Sequence, residues 1–255
     1  MKYRHSKIDS QSFLFSAKES NEEYYRVAYE LTKKLFVGMS KHALAFNSKK
    51  YNFYEPPFLF RERQLDTLIM PVLNSLCKGL AFAEYPMTRN SRKKGLEIED
   101  SQGRIDYWCI YKDYSFVIEV KHSYDNFATS STNDERLLQR WRTMNIVQLD
   151  NIKNEIKHFE ERTKGVIRLG FHFITSHSGT KLKENIRETF ISQECEMLTR
   201  LYVDLKGITP PDFMSMWELD DDMVCYDNDR AYPGLIVMAK FFKDIKHKGS
   251  KDYYE

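Results

Sequence analysis

Two strand-like runs, Gly103–Tyr111 and Ser115–Ser123, are joined by only Lys112-Asp113-Tyr114. A connection that short obliges them to pair as an antiparallel hairpin. The hairpin decides which side chains can meet. In the second run Glu119 and Lys121 project from one face, and Ile118 and Val120 from the other. Asp106 of the first run can then lie alongside them. Two carboxylates about 4 Å apart repel by about 4 kcal/mol at an effective dielectric of 20, so their ionised coexistence in a buried strand centre asks for a cation. A hard divalent ion suits oxygen ligands, and Mg2+ takes one or two carboxylates with phosphate oxygens. Lys121 could then orient an attacking water or hold charge developing on phosphorus. The bland alternative is an edge-strand salt-bridge network of Asp106, Glu119 and Lys121.

The acid-x-Lys pattern alone decides nothing, because it occurs four times: Glu119-Val120-Lys121, Glu155-Ile156-Lys157, Asp204-Leu205-Lys206 and Asp244-Ile245-Lys246. Glu155 lies in a helical pattern, where positions two apart do not share a face. Asp204 and Asp244 end their elements, near Gly207 and a basic tail respectively. Only Glu119 sits inside an apolar β run preceded by a strand with its own acid.

Around this hairpin the chain alternates helical and strand patterns. Tyr24, Val27, Leu31 and Leu35 predict a helix over 20–38 after an Asn21 cap. Leu65, Leu68, Ile69, Val72, Leu73 and Leu76 predict another, kinked or split at Pro71 and ending near Gly79. Ala81–Met87 reads as a strand. The Ser/Thr-rich stretch 126–133 reads as a loop before a cap at Asp134. Leu137, Trp141, Met144, Ile152, Ile156 and Phe159 then predict one long helix over 135–162. Gly165–His177 is a further strand, a helix covers about 182–203, and Tyr232–Phe242 is the last strand. Interleaved helices and strands give an α/β domain with a mixed sheet. Three parts are expected: an N-terminal helical extension over 1–57, a core over 58–177, and a C-terminal helix and strand extension over 178–255 packing on the core.

Composition bounds the partners. Lys+Arg 39 against Asp+Glu 37 leaves a net charge of +2, so bulk charge cannot hold a polyanion and any attraction must be local. Arg89, Arg92, Lys93 and Lys94 precede the Asp106 strand, and Arg136, Arg140 and Arg142 open the helix after the Lys121 strand. Both clusters flank the candidate site as a nucleic-acid groove would require, or are ordinary solvated charge. The start of the sequence lacks the apolar core of a signal peptide, and no apolar stretch is long enough for a membrane span. Cys77, Cys109, Cys195 and Cys225 are scattered without a CxxC pair, which disfavours thiolate zinc. A cytoplasmic protein with free thiols is expected.

Competing motifs are few. His172 and His177 flank a strand end at an odd separation and read as core or surface histidines. No H-E-x-x-H, G-x-S-x-G or P-loop pattern occurs. Asp212, Glu218, Asp220, Asp221, Asp222, Asp227 and Asp229 read as a solvated acidic loop.

Over residues 58–177 the chain resembles the PD-(D/E)XK nucleases, in the order helix, three strands, helix, strand. Asp106 matches the family's first acid, and Glu119-Val120-Lys121 its second acid, spacer and lysine; Ile105 stands where the family's proline would be. The resemblance implies a restriction-endonuclease-like mixed β-sheet core flanked by helices, and Mg2+-dependent hydrolysis of phosphodiester bonds in DNA. It implies Mg2+, with Mn2+ as a substitute, held by Asp106, Glu119 and Val120 with help from Glu62, the match to the family's helix glutamate. Glu62 can equally be a helix-start carboxylate favoured by the macrodipole. Gln148 matches a glutamine of some members, directed at a site group or at a backbone carbonyl. Ile152 occupies the tyrosine position of the exonuclease branches, which speaks against that branch; the helix and loop elements outside 58–177 offer DNA-reading or dimer surface, so an endonuclease is expected. DNA is the expected partner ahead of RNA, with no membrane, and a homodimer or partner protein would suit double-strand cutting. The other reading is a non-catalytic nucleic-acid-binding or assembly module on the same fold.

Overall fold

The computed structural model describes residues 3–90, 100–128, 134–152, 163–179, 185–220, 224–227 and 229–243. Its strands are β1 (Arg4–Ile8), β2 (Gln11–Ala17), β3 (Asn47–Ser48), β4 (Phe53–Tyr54), β5 (Ala81–Asn90), β6 (Asp100–Tyr111), β7 (Tyr114–Asn126), β8 (Val166–Gly179), β9 (Phe213–Glu218), β10 (Cys225–Asp227) and β11 (Arg230–Lys243). Its α-helices are α1 (Glu23–Leu44), α2 (Asp66–Leu76), α3 (Asp134–Arg142) and α4 (Ile186–Leu205). A nine-stranded mixed sheet runs β1-β2-β9-β11-β8-β7-β6-β5, with β10 on β11, and the four helices flank it. The β7–β8 pair is parallel, while the other strand pairs among the described residues are antiparallel.

The expected hairpin forms with a two-residue turn: Tyr111 pairs with Tyr114, and Lys112 and Asp113 take φ of 47° and 63°. Positive φ at both turn residues matches the right-handed twist of the flanking strands. Ile118 and Val120 face the large core with Tyr107, Phe116, Leu169 and Phe171, on the side covered by α1 and α2. The opposite face of β7 and β8 lies under α3, whose Trp141 stacks on His172, and α3 packs on α4.

Several expectations need correction. Residues 1–57 are not purely helical: β1 and β2 enter the main sheet through β9. Helix α1 begins after Glu22 without a side-chain cap, so Asn21 does not serve. Helix α2 is a single element with Pro71 inside it, so it is not split into two there. The long regular helix gives way after Arg142 to a π-helical turn at Thr143–Gln148 and a 3-10 turn at Asp150–Ile152; residues 153–162 lie outside the described residues. The acidic stretch is no simple solvated loop. Strand β9 sits between β2 and β11, and Asp212 and Glu218 at its edges are 4% exposed. Asp212 pairs with Lys240 at 3.0 Å and Glu218 with Arg187 at 2.6 Å, which is how those charges tolerate burial. His172 and His177 agree with their reading as core or surface histidines: His172 is buried and stacks on Trp141, and half-buried His177 packs against Tyr232.

Candidate active site

The sheet opens at Asp106. The β6–β7 ladder ends with Tyr107 opposite Ile118, while β6 continues along β5 and β7 continues along β8. Residues two apart on a strand ordinarily share a face. Tyr107 belongs to the large core, yet Ile105 packs in a smaller cluster with Met87, Val117, Leu149, Ile152 and Val166. Strand β6 therefore turns at Asp106. On β5, Glu84 marks the same level with φ of 53° and bonds Arg104 at 2.8 Å.

Parting from β6 leaves β7 with main-chain groups that need partners. Four side chains supply them. The Val120 N–H donates to Asp106 Oδ2 at 2.6 Å, and Lys121 Nζ donates to the Val120 carbonyl at 2.9 Å. The His122 N–H donates to Glu62 Oε2 at 3.1 Å, and the Arg140 guanidinium donates to the His122 carbonyl. Glu62 stands on a 3-10 turn at Glu62–Leu65 that leads into α2, and its other oxygen meets Lys121 Nζ at 3.4 Å. Asp66, one turn on, accepts from the Tyr107 hydroxyl. Tyr124 ties the same loop down through the carbonyls of Leu59 and Phe60.

Glu119, 1% exposed, shares a hydrogen bond with the Asp106 carboxyl. Burial raises the Asp106 carboxyl above its ordinary range; the Val120 N–H and Lys121 pull it back, and Glu62 pushes it up further. The hairpin thus brings Asp106, Glu119 and Lys121 together, with Glu62 beside Lys121. Behind them His122 bonds Thr175 at 2.8 Å and His172 bonds Ser123 at 2.8 Å. Burial, then the charge of Arg140, lowers these imidazoles to about 4 and about 3. Both imidazoles are therefore neutral at neutral pH.

A π-helical turn covers the inner face. Gly170 pairs with Glu119 across the parallel ladder, and the space a Gly170 side chain would fill holds Asn145: an added Cβ would meet Asn145 Oδ1 at 2.3 Å and Met144 Cε at 3.0 Å. Asn145 Nδ2 donates to the Trp141 carbonyl at 3.0 Å, which fixes the amide's orientation and leaves Oδ1 buried without a hydrogen-bond partner. Gln148 Oε1, on the same turn, is likewise buried and unpartnered. Asn145 has one signal in the sequence: a polar residue four after Trp141 and one after Met144, on the buried side of the helix.

No three His, Cys, Asp or Glu side chains converge as a metal cluster among the described residues. Mg2+ commonly uses only one or two carboxylates. The touching Asp106–Glu119 pair and the orphaned amide oxygen over Gly170 are all hard oxygen donors and fit such an ion. The Val120 carbonyl is engaged by Lys121.

The basic clusters fare unequally. Arg140 reaches the site through His122, Arg136 is exposed, and Arg142 is half-buried with its Nε unpartnered. Arg89 lies on β5, and Arg92, Lys93 and Lys94 fall outside the described residues. No helix among the described residues is long and apolar enough to cross a membrane. Comparisons with protein-family models, curated proteins and solved structures gave no match.

Proposed function

We propose that the protein is a metal-dependent nuclease that hydrolyses phosphodiester bonds of DNA as an endonuclease, on a restriction-endonuclease-like core. One observation carries the reading: the Asp106 and Glu119 carboxyls touch where β6 leaves β7, with Lys121 alongside. Asp106 and Glu119 would hold Mg2+, or Mn2+ in its place. The ion would supply charge neutralisation at the scissile phosphate and a lowered pKa for the attacking water. Lys121, swinging from the Val120 carbonyl, positions that water, and Glu62 holds the Lys121 ammonium within reach. Arg136 and Arg140 on α3 lie where they could draw in the phosphate backbone.

A second reading has its own support. Asp106, Glu62, Lys121 and Arg140 already satisfy the main-chain groups of Val120 and His122, as they would in a non-catalytic nucleic-acid-binding or assembly module. One assay separates the two: incubation with linear, circular and single-stranded DNA and with RNA, in Mg2+, Mn2+ or EDTA. The nuclease reading expects metal-dependent cutting that Asp106→Asn, Glu119→Gln and Lys121→Ala abolish. Cutting that survives Glu119→Gln sinks the site assignment, and binding without cutting under every metal supports the module.

A further inference from the structure

We propose that Asn145 is a positioning residue of this site, whose Oδ1 accepts a hydrogen bond from a hydration water of the divalent cation at Glu119. The inference rests on the nuclease reading and adds to it a residue that the acid-x-Lys pattern does not contain.

Gly170 pairs with Glu119 in the parallel β7–β8 ladder, so the two residues point to the same face from strands about 4.8 Å apart. Any larger residue at 170 would collide with the Asn145 amide oxygen, which occupies the space over Gly170, the ladder neighbour of Glu119. The π-helical turn at Thr143–Gln148 carries the chain into this close approach. Such turns carry strain in an otherwise α-helical run and recur at functional sites.

Asn145 is 3% exposed. Its amide nitrogen is committed to the Trp141 carbonyl, so the oxygen is the end presented to the sheet. A buried acceptor left without a donor costs about 1–3 kcal/mol. Packing alone would favour leucine, which has nearly the same shape and no polar atoms. An acceptor beside a buried carboxylate is satisfied by a donor held between the two. A water ordered by a cation is such a donor, since its protons point away from the ion, and groups that orient metal ligands and their waters in this way typically change metal affinity about 10- to 100-fold.

The test is Mn2+ and Mg2+ titration by calorimetry on the whole protein, paired with thermal melts with and without metal, for wild type, Asn145→Leu, Asn145→Asp and Glu119→Gln. The expected result is that Asn145→Leu melts at or above the wild-type temperature without metal, yet binds Mn2+ about 10- to 100-fold more weakly. Asn145→Asp, which keeps an acceptor oxygen, retains binding. If wild type binds metal, Glu119→Gln abolishes it and a folded Asn145→Leu binds as wild type does, the Asn145 proposal is overturned while the site reading stands. If Asn145→Leu fails to fold, loss of binding in a folded Asn145→Asp overturns it equally. If wild type binds no divalent ion, the nuclease reading fails and this proposal with it.

Discussion

Asp106 accepts the Val120 N–H at the level where the β6–β7 ladder stops, so one carboxylate both ends the strand pairing and touches Glu119. Stability and chemistry are therefore separable at this residue. Asp106→Asn keeps an oxygen for the Val120 N–H and is expected to unfold within about 0.5 kcal/mol of wild type. Asp106→Ala leaves a buried donor bare and is expected to lose about 1–3 kcal/mol. On the proposed nuclease reading, both are expected to abolish cutting. Urea unfolding beside the cleavage assay reads the two effects apart.

Arg136 and Arg140 stand four residues apart on α3 and should behave differently. Arg140 donates to the His122 carbonyl, and a charged hydrogen bond of that kind contributes about 1.5–3 kcal/mol, so Arg140→Ala is expected to destabilise the fold by roughly that amount. Arg136 is exposed; Arg136→Ala is expected to leave the urea midpoint unchanged and to flatten the salt dependence of DNA binding. Equal effects of the two substitutions on stability would contradict the assignment of Arg140 to the open edge of β7.

Gly170→Ala forces a methyl group against Asn145 Oδ1 and Met144 Cε and is expected to cost about 1–3 kcal/mol. Because the clash is with Asn145, the double variant Gly170→Ala with Asn145→Ala should recover part of the loss. Strict additivity of the two changes would place the strain elsewhere.

Acid should unfold the protein through its buried histidines. His122 and His172 are lowered to about 4 and about 3, mainly by burial, whereas an unfolded histidine takes up its proton near about pH 6.5. Between those values the unfolded chain binds more protons, so stability is full above about pH 6.5 and falls as the pH drops towards the folded values. Urea midpoints for wild type and His172→Gln should converge as the pH is lowered from 7 to about 4.

Glu194 acts in the opposite sense. It is fully buried on α4, and burial, then the charge of Asp125, raises its carboxyl well above the ordinary range. The unfolded chain gives up this proton at lower pH than the folded one. Its contribution is therefore full in acid and lost as the pH rises through the raised folded value. Glu194→Gln keeps the neutral shape, so its melting temperature should exceed the wild-type value by a margin that grows as the pH rises above the ordinary glutamate range of about 4.3 and disappears below it.

Alternation and turn length determined the hairpin from sequence alone. Three residues between two apolar runs leave no other pairing, so Asp106, Glu119 and Lys121 met as expected. Local signals of that kind are complete within about 20 residues. Strands β2 and β9 were not legible, because their alternation is blurred by burial on both faces and, in β9, by acids at both ends. Those acids are tolerated inside only because Lys240 and Arg187 arrive from β11 and α4. The open edge of β7 was equally invisible. Which carboxylate meets Val120 or His122, and which cation meets their carbonyls, depends on the 3-10 turn before α2 and on α3 arriving from distant parts of the chain. Asn145 shows the same division. The sequence places it one position past Met144; only the tertiary structure sets Gly170 beneath it and Glu119 beside Gly170, because that approach joins a helical turn to two strands distant in the chain.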